Sequence, residues 1–258
     1  MVGFGMVDAA IADVGDPAAA HGAIAVHDGA MFEPILTGRT LALGDVRLLP
    51  PVIPGKIVAL WNNFHELSAK LGTAIPTEPL FFLKATSSLL AAGETIRPPN
   101  AYAGKVVFEG ELGVVIGRTC HGASETDAAE AIFGYTCVND VTAQDILNAD
   151  PSFAQWARCK SFDTFGPLGP AVVTGLDPAA LRVRTVLNGQ ERQNYPVSDM
   201  ILPPARIVSL LSREMTLHPG DVIACGTSVG VGSMRAGAVV EIVIEGIGTL
   251  RNTMGAST

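Results

Sequence analysis

The chain has 258 residues, of which 25 are acidic and 17 basic, giving a net charge of −8; 48% are hydrophobic and only 16% charged. This composition excludes a disordered or coiled-coil protein, and a chain of this length buries roughly 70–75% of its unfolded surface without disulfide staples. The acidic balance and the lack of any basic stripe argue against nucleic-acid and anionic-membrane partners.

No uncharged apolar run reaches the roughly 18 residues of a spanning helix. The first eight residues lack the basic and apolar regions of a signal peptide. A cytoplasmic protein is therefore expected. Cys120, Cys137, Cys159 and Cys225 are widely spaced, without the close pairs of a zinc site or the density of a secreted scaffold, and read as small buried side chains.

Residues 1–53, rich in Ala, Gly and Asp, are expected to form a small, partly β-type N-terminal cap with a loosely ordered start. The Pro50–Gly55 stretch marks an extended crossing into a second domain over 54–258. There Lys56–Leu60 reads as a buried strand. Asn62 or Asn63 caps a helix with Phe64, Leu67 and Leu71 on one face and Gly72 as its stop.

Leu80–Lys84 is a short strand and Val106–Arg118 a long one. Ser124 and Asp127 form a capping box for a helix through Ala131. An apolar run ends at Val138, and Thr142–Ala149 reads as a short helix. Asn188-Gly189 supplies a type I′ hairpin turn after Arg182–Leu187, and Pro203-Pro204 opens a helix carrying Ile207, Leu210 and Leu211. Val222–Ala224, Val239–Glu245 and Thr249–Arg251 are strands. Because strands outnumber helices and do not alternate regularly with them, the pattern predicts a mixed, mostly β fold.

The strongest chemical signal is Phe108-Glu109-Gly110-Glu111-Leu112. On one strand, Glu109 and Glu111 point to the same face about 7 Å apart, a spacing that suits one shared hard cation and equally an ordinary solvated face. The surrounding valines make an unneutralised pair costly. Asp140, where a buried strand emerges, is either a helix cap or a third oxygen ligand. The three would suit Mg²⁺ or Mn²⁺ rather than zinc.

Lys160, among aromatics, reads as an anion holder or a snorkelling surface lysine, and Lys84 offers the same two readings. The Gly226–Gly232 stretch lacks both phosphate-loop and dinucleotide spacing. Gly226 and Thr227 can still present backbone N–H groups and a hydroxyl to an anion. His65 and Glu66 are adjacent on a helix and so do not face each other as a ready dyad.

Taken together, Glu109-Gly110-Glu111-Leu112, Asn139-Asp140-Val141-Thr142-Ala143, Lys160-Ser161-Phe162-Asp163, Phe82-Leu83-Lys84, Val186-Leu187-Asn188-Gly189, His218-Pro219-Gly220-Asp221 and Gly226-Thr227 resemble the fumarylacetoacetate hydrolase family. The resemblance runs in order over about residues 50–252. It implies a fumarylacetoacetate hydrolase-like β-roll with a few short helices, a homodimer, and Mg²⁺, Mn²⁺ or Ca²⁺ held by Glu109, Glu111 and Asp140. Lys160 takes the motif lysine position and Thr227 the substrate-carboxylate contact.

The activity so implied is C–C hydrolysis of a 2-oxo or β-diketo acid, of the acylpyruvate type met in aromatic-compound catabolism. Isomerisation, tautomerisation, decarboxylation, or a catalytically silent oxo-acid-binding dimer are the alternatives. Two departures stand out. The general-base histidine and glutamate positions of hydrolytic members hold Leu67 and Lys70, leaving His65, with Glu66, as the nearby candidate base. Gln144 replaces the usual arginine, and Leu147 stands where several relatives have glutamine.

Overall fold

The computed structural model describes residues 4–7, 23–29, 31–100 and 102–256. The loosely ordered start expected of the cap lies mostly outside these residues. The chain runs through β1 (Phe4–Val7), β2 (Ala23–Asp28), β3 (Ile35–Ala42), β4 (Ile57–Trp61), α1 (His65–Leu71), β5 (Leu80–Lys84), β6 (Leu89–Leu90) and β7 (Thr95–Ile96). Then come β8 (Val106–Phe108), β9 (Gly110–Ile116), α2 (Glu125–Ala131), β10 (Ile132–Asn139), β11 (Thr142–Ala143), α3 (Gln144–Leu147), α4 (Trp156–Lys160) and β12 (Gly166–Val173). It ends with β13 (Arg182–Leu187), β14 (Gln190–Pro196), α5 (Pro204–Glu214), β15 (Val222–Ala224), β16 (Gly232–Ser233), β17 (Val239–Ile244) and β18 (Gly248–Met254).

The fold is mostly β, as the sequence pattern predicts. The first three strands form a small antiparallel sheet of their own. The main sheet has the order β5-β4-β15-β9-β10-β12-β6, beside a five-stranded sheet β14-β13-β17-β18-β7 and a short sheet β11-β8-β16. The central strand β9 is buried at every residue and apolar apart from Glu111 and its two glycines, as a strand covered on both sides must be. Together with β10, β15, β17 and α5 it builds much of the main apolar cluster, which includes Leu112, Val114, Ile223, Ile242, Ile207 and Leu211. Among the described residues no helix is long and apolar enough to cross a membrane.

Several local expectations hold for the physical reasons given. Ser124 accepts the Asp127 N–H at 3.2 Å and opens α2; Gly72 ends α1 in the left-handed region. Asn188 and Gly189 both take positive φ between β13 and β14, and Pro204 sits in the first turn of α5. All four cysteines are buried and free.

Others are corrected. Neither Asn62 nor Asn63 caps α1. Phe64 holds the cap position, and the Glu66 N–H donates instead to Asp199 Oδ2 at 3.1 Å from a distant loop. Both asparagine amides are engaged elsewhere: Asn62 binds Ser68 and Thr73, and Asn63 ties Leu202 to Cys225. Leu71 is exposed rather than sharing a buried face with Phe64. Thr142 and Ala143 are a strand pair with β8, and only Gln144–Leu147 is helical.

The largest correction concerns Val106–Arg118, which is two strands broken at Glu109. There the chain leaves one sheet for another: Phe108 pairs with Gly232 of β16, while Gly110 pairs with Asn139 of β10. Between them Glu109 takes its N–H to the Asn139 side chain at 3.0 Å and gives its carbonyl to the Asp140 N–H at 2.9 Å.

Gly110 is required at this switch by crowding rather than by conformation. A Cβ there would lie 2.1 Å from Thr185 Oγ1 and 3.0 Å from the Ile242 methyl, and Thr185 is a stiff β-branched side chain already bonded to Gln193 at 2.8 Å. Gly110→Ala is expected to cost about 3 kcal/mol, at the upper end for an overpacked core, measured as a lowered unfolding midpoint in urea. A change below about 0.5 kcal/mol would show that the junction is loose.

Candidate active site

Glu109, Glu111 and Asp140 converge at the sheet switch. β10 runs antiparallel to β9 with Glu111 opposite Val138, so Asp140, two residues on, stands across from Glu109. One carboxylate oxygen from each of the three lies within 4.8 Å of the others. Convergence therefore comes from the ladder register and the break at Glu109, not from two positions on one continuous strand.

Two lysines close the cluster. Lys160, the last residue of α4, places Nζ 2.9 Å from Glu109 Oε2 and 2.6 Å from Asp140 Oδ2. Lys84, at the end of β5, places Nζ 2.6 Å from Asp140 Oδ1 and also donates to the Lys160 carbonyl. Both are buried, so neither snorkels to solvent. The Thr142 hydroxyl lies 3.0 Å from both Glu109 Oε1 and the Asp140 carbonyl.

Burial opposes charge on Asp140, yet Lys160 and Lys84 outweigh it and hold the carboxyl below its ordinary range. Burial opposes charge on Lys160 as well, but Asp140, Glu109 and Glu111 push its ammonium well above the usual lysine range. Desolvation lowers Lys84 despite Asp140. Glu109 is raised by burial against the pull of Lys160. Glu111 is raised most clearly, by burial first and then by Asp140 and Glu109.

Glu111 is thus the acid left over. Its Oε2 accepts the Gly226 N–H at 2.8 Å, while its buried Oε1 has no hydrogen-bond partner among the described residues. A buried carboxylate oxygen left bare is costly, and a cation shared with Glu109 and Asp140 would satisfy it. The donor set is oxygen alone, without His or Cys, which suits a hard divalent ion such as Mg²⁺, Mn²⁺ or Ca²⁺. The residues fit such an ion.

A second network holds the peptide between the two glutamates. The Gly110 N–H donates to Gln193 Oε1 at 3.1 Å, and its carbonyl accepts the Thr227 hydroxyl at 2.9 Å and the Tyr195 hydroxyl. Gln193 Nε2 in turn donates to Thr227 Oγ1 at 2.8 Å. Gln193 and Tyr195 are the buried alternate positions of β14, and sequence reading passed over both. Their signal is the period-2 alternation itself, which turns a glutamine inward.

The other expected residues divide. The proton of the Thr227 hydroxyl goes to Gly110, and the Gly226 N–H goes to Glu111, so in this arrangement both support the cluster rather than offering donors to a ligand. His65 and Glu66 stand exposed on the first turn of α1, and neither belongs to the acidic cluster found among the described residues. Leu67 is partly buried against the core and Lys70 is exposed.

Comparison with known proteins gives the family. Residues 56–255 match the fumarylacetoacetate (FAA) hydrolase C-terminal family, and residues 2–51 match the Rv2993c-like N-terminal family. The chain belongs to the fumarylacetoacetate hydrolase family. It is 39% identical to a 2-hydroxyhepta-2,4-diene-1,7-dioate isomerase from Mycobacterium marinum, with a TM-score of 0.85 over 96% of this chain and 92% of that one.

It is 36% identical to the oxaloacetate tautomerase YisK of Bacillus subtilis, over 83% of this chain and 75% of that protein. A maleylpyruvate hydrolase from Sphingobium sp. SYK-6, solved in complex with manganese (II) ion and pyruvate, is 30% identical with a TM-score of 0.73, covering 85% of this chain and 78% of that one.

The excess acid has a measurable consequence. Because the Glu111 carboxyl is raised in the fold, its contribution to stability is full below its ordinary value of 4.5 and is lost as pH rises through the raised value. Asp140 acts in the opposite sense, losing its contribution as pH falls. A divalent ion must displace the Glu111 proton, so the rise in thermal midpoint on adding saturating Mg²⁺ or Mn²⁺ is expected to be larger at pH 8 than at pH 5.5. Glu111→Gln, metal-free at pH 8, is expected to be at least as stable as the parent and to gain nothing from metal. A parent-sized gain in that variant would remove Glu111 from the ligand set.

Proposed function

We propose that the chain is a divalent-metal-dependent enzyme that interconverts the keto and enol forms of a 2-oxo acid, as a tautomerase or isomerase. The observation that supports this reading is the composition of the site: a buried three-carboxylate cluster flanked by two lysines, with no histidine–glutamate dyad beside it among the described residues. When bound, a divalent cation supplies Lewis-acid chemistry, polarising the 2-oxo carbonyl so that the adjacent C–H becomes acidic.

The chain's own residues do the rest. Lys160, kept protonated by its carboxylate neighbours, puts a fixed positive charge where enolate oxygen charge develops. Lys84 holds Asp140 and the Lys160 backbone in place from below. The Gln193–Thr227–Gly110 network keeps Glu109 and Glu111 at fixed separation, so little reorganisation accompanies the charge change. The proton lost from C3 passes to a solvent water, and water returns one to the enolate at oxygen or carbon, so no water has to be activated as a nucleophile.

C–C hydrolysis is the second reading, favoured by the hydrolase among the similar structures. It needs a water-activating base, and His65 would have to swing over the cluster from the first turn of α1 to serve. The assembly we infer is a homodimer, checked by sedimentation of the purified chain.

Proton NMR of the protein with Mg²⁺ and a short 2,4-dioxo acid in D₂O separates the two. Metal-dependent deuterium uptake at C3 without cleavage is expected, with Lys160→Gln slowing it about 10²–10³-fold, the loss typical of removing one charge-stabilising donor. Release of pyruvate and a second acid, abolished by His65→Ala, would instead make the protein a hydrolase.

A further inference from the structure

Beside the carboxylate cluster lies a cavity of about 430 Å³ lined by Trp61, Pro79, Leu80, Phe81, Phe82 and Trp156. None of the six carries a charge. Two independent elements join it to the site by the shortest step each allows. On β5, Phe82 and Lys84 are two residues apart and so share a face about 7 Å apart; on α4, Trp156 and Lys160 are four apart and lie one above the other.

The aromatic rings form a continuous wall. Lys160 Nζ lies 5.3 Å from the Phe82 ring centroid, Phe82 stacks on Trp156 at 5.5 Å, and Trp156 meets Trp61 at 5.7 Å.

We propose that this cavity receives the tail of the substrate, and that the tail is uncharged and aryl or bulky alkyl rather than a second carboxylate. The proposal rests on the oxo-acid reading given above. The volume is ample, since an engineered apolar cavity of about 150 Å³ already accepts benzene. The lining offers stacking faces and no partner for an anion, and a carboxylate laid against it would give up part of its hydration without return. The Mycobacterium marinum relative, by contrast, is named for a 1,7-dioate.

The test uses the Mg²⁺-loaded full chain and three acids with one head group: 4-phenyl-2,4-dioxobutanoate, 2,4-dioxopentanoate and 2,4-dioxoheptanedioate. Calorimetry gives each dissociation constant. Tryptophan emission gives the location, because the chain contains two tryptophans and both line this cavity.

The phenyl acid is expected to bind at least tenfold tighter than the methyl acid, with the dioate weakest, and to perturb the emission most. Trp61→Ala should narrow the phenyl-to-methyl ratio to about two. Equal affinity for phenyl and methyl, or tightest binding of the dioate, would overturn the proposal while leaving the oxo-acid reading intact. Binding of none of the three would bring down that reading and the proposal with it. If emission instead follows protein concentration, and Trp61→Ala weakens self-association in sedimentation, the cavity is filled by a second copy and the proposal fails.

Discussion

Three carboxylates and two ammonium groups share one buried site, and much of the surrounding structure exists to make that tolerable. Isolated buried charges are costly, and pairs repay the cost only when geometry is good and remaining polar atoms are satisfied. Here Asp140 is satisfied from both sides, by Lys84 and Lys160, and Glu109 by Lys160 and Thr142. Only Glu111 keeps a bare oxygen. The groups arrive from β5, β9, the end of β10 and α4, so the sheet order and the short helix after residue 155 are both conditions of the site.

The five-stranded sheet, which carries none of the charged groups, contributes through Gly110. Gln193 and Tyr195 reach across from β14 and, with Thr227, engage both backbone polar atoms of that one residue. A glycine is needed because Thr185 of β13 presses against its Cα. The hairpin that begins at Arg182 thereby sets the spacing of two glutamates in another sheet. Substitutions at its inward positions would act on the chemistry without touching a ligand.

Much of this was readable in the sequence where one local rule dominates. The Leu80–Lys84 strand, the Ser124 cap, the Asn188-Gly189 turn and the Pro204 helix start follow from short-range preferences. The three acids and Lys160 were found by residue type and company, and the family followed from their order along the chain. What escaped was long-range. Nothing near Asn62 and Asn63 says that their amides are claimed by Ser68, Thr73, Leu202 and Cys225. Nothing in the apolar run around Glu109 says that the ladder changes partners there. Nothing beside Lys84 separates its two readings, because its burial depends on Asp140, fifty-six residues away.

The change of sheets at Glu109 also fixes the glycine-rich segment 226–232 at both ends. Ala224 is laddered to Gly113 of β9, and Gly232 to Phe108 of β8, so the segment bridges the break like a strap whose two buckles are the strands on either side of it. Its first residues bind Glu111 and Gly110. Lifting the strap would mean unzipping one of the two ladders, that of β15 with β9 or that of β16 with β8. The strap is then a fixed floor beneath Glu111 and Gly110 rather than a lid over them.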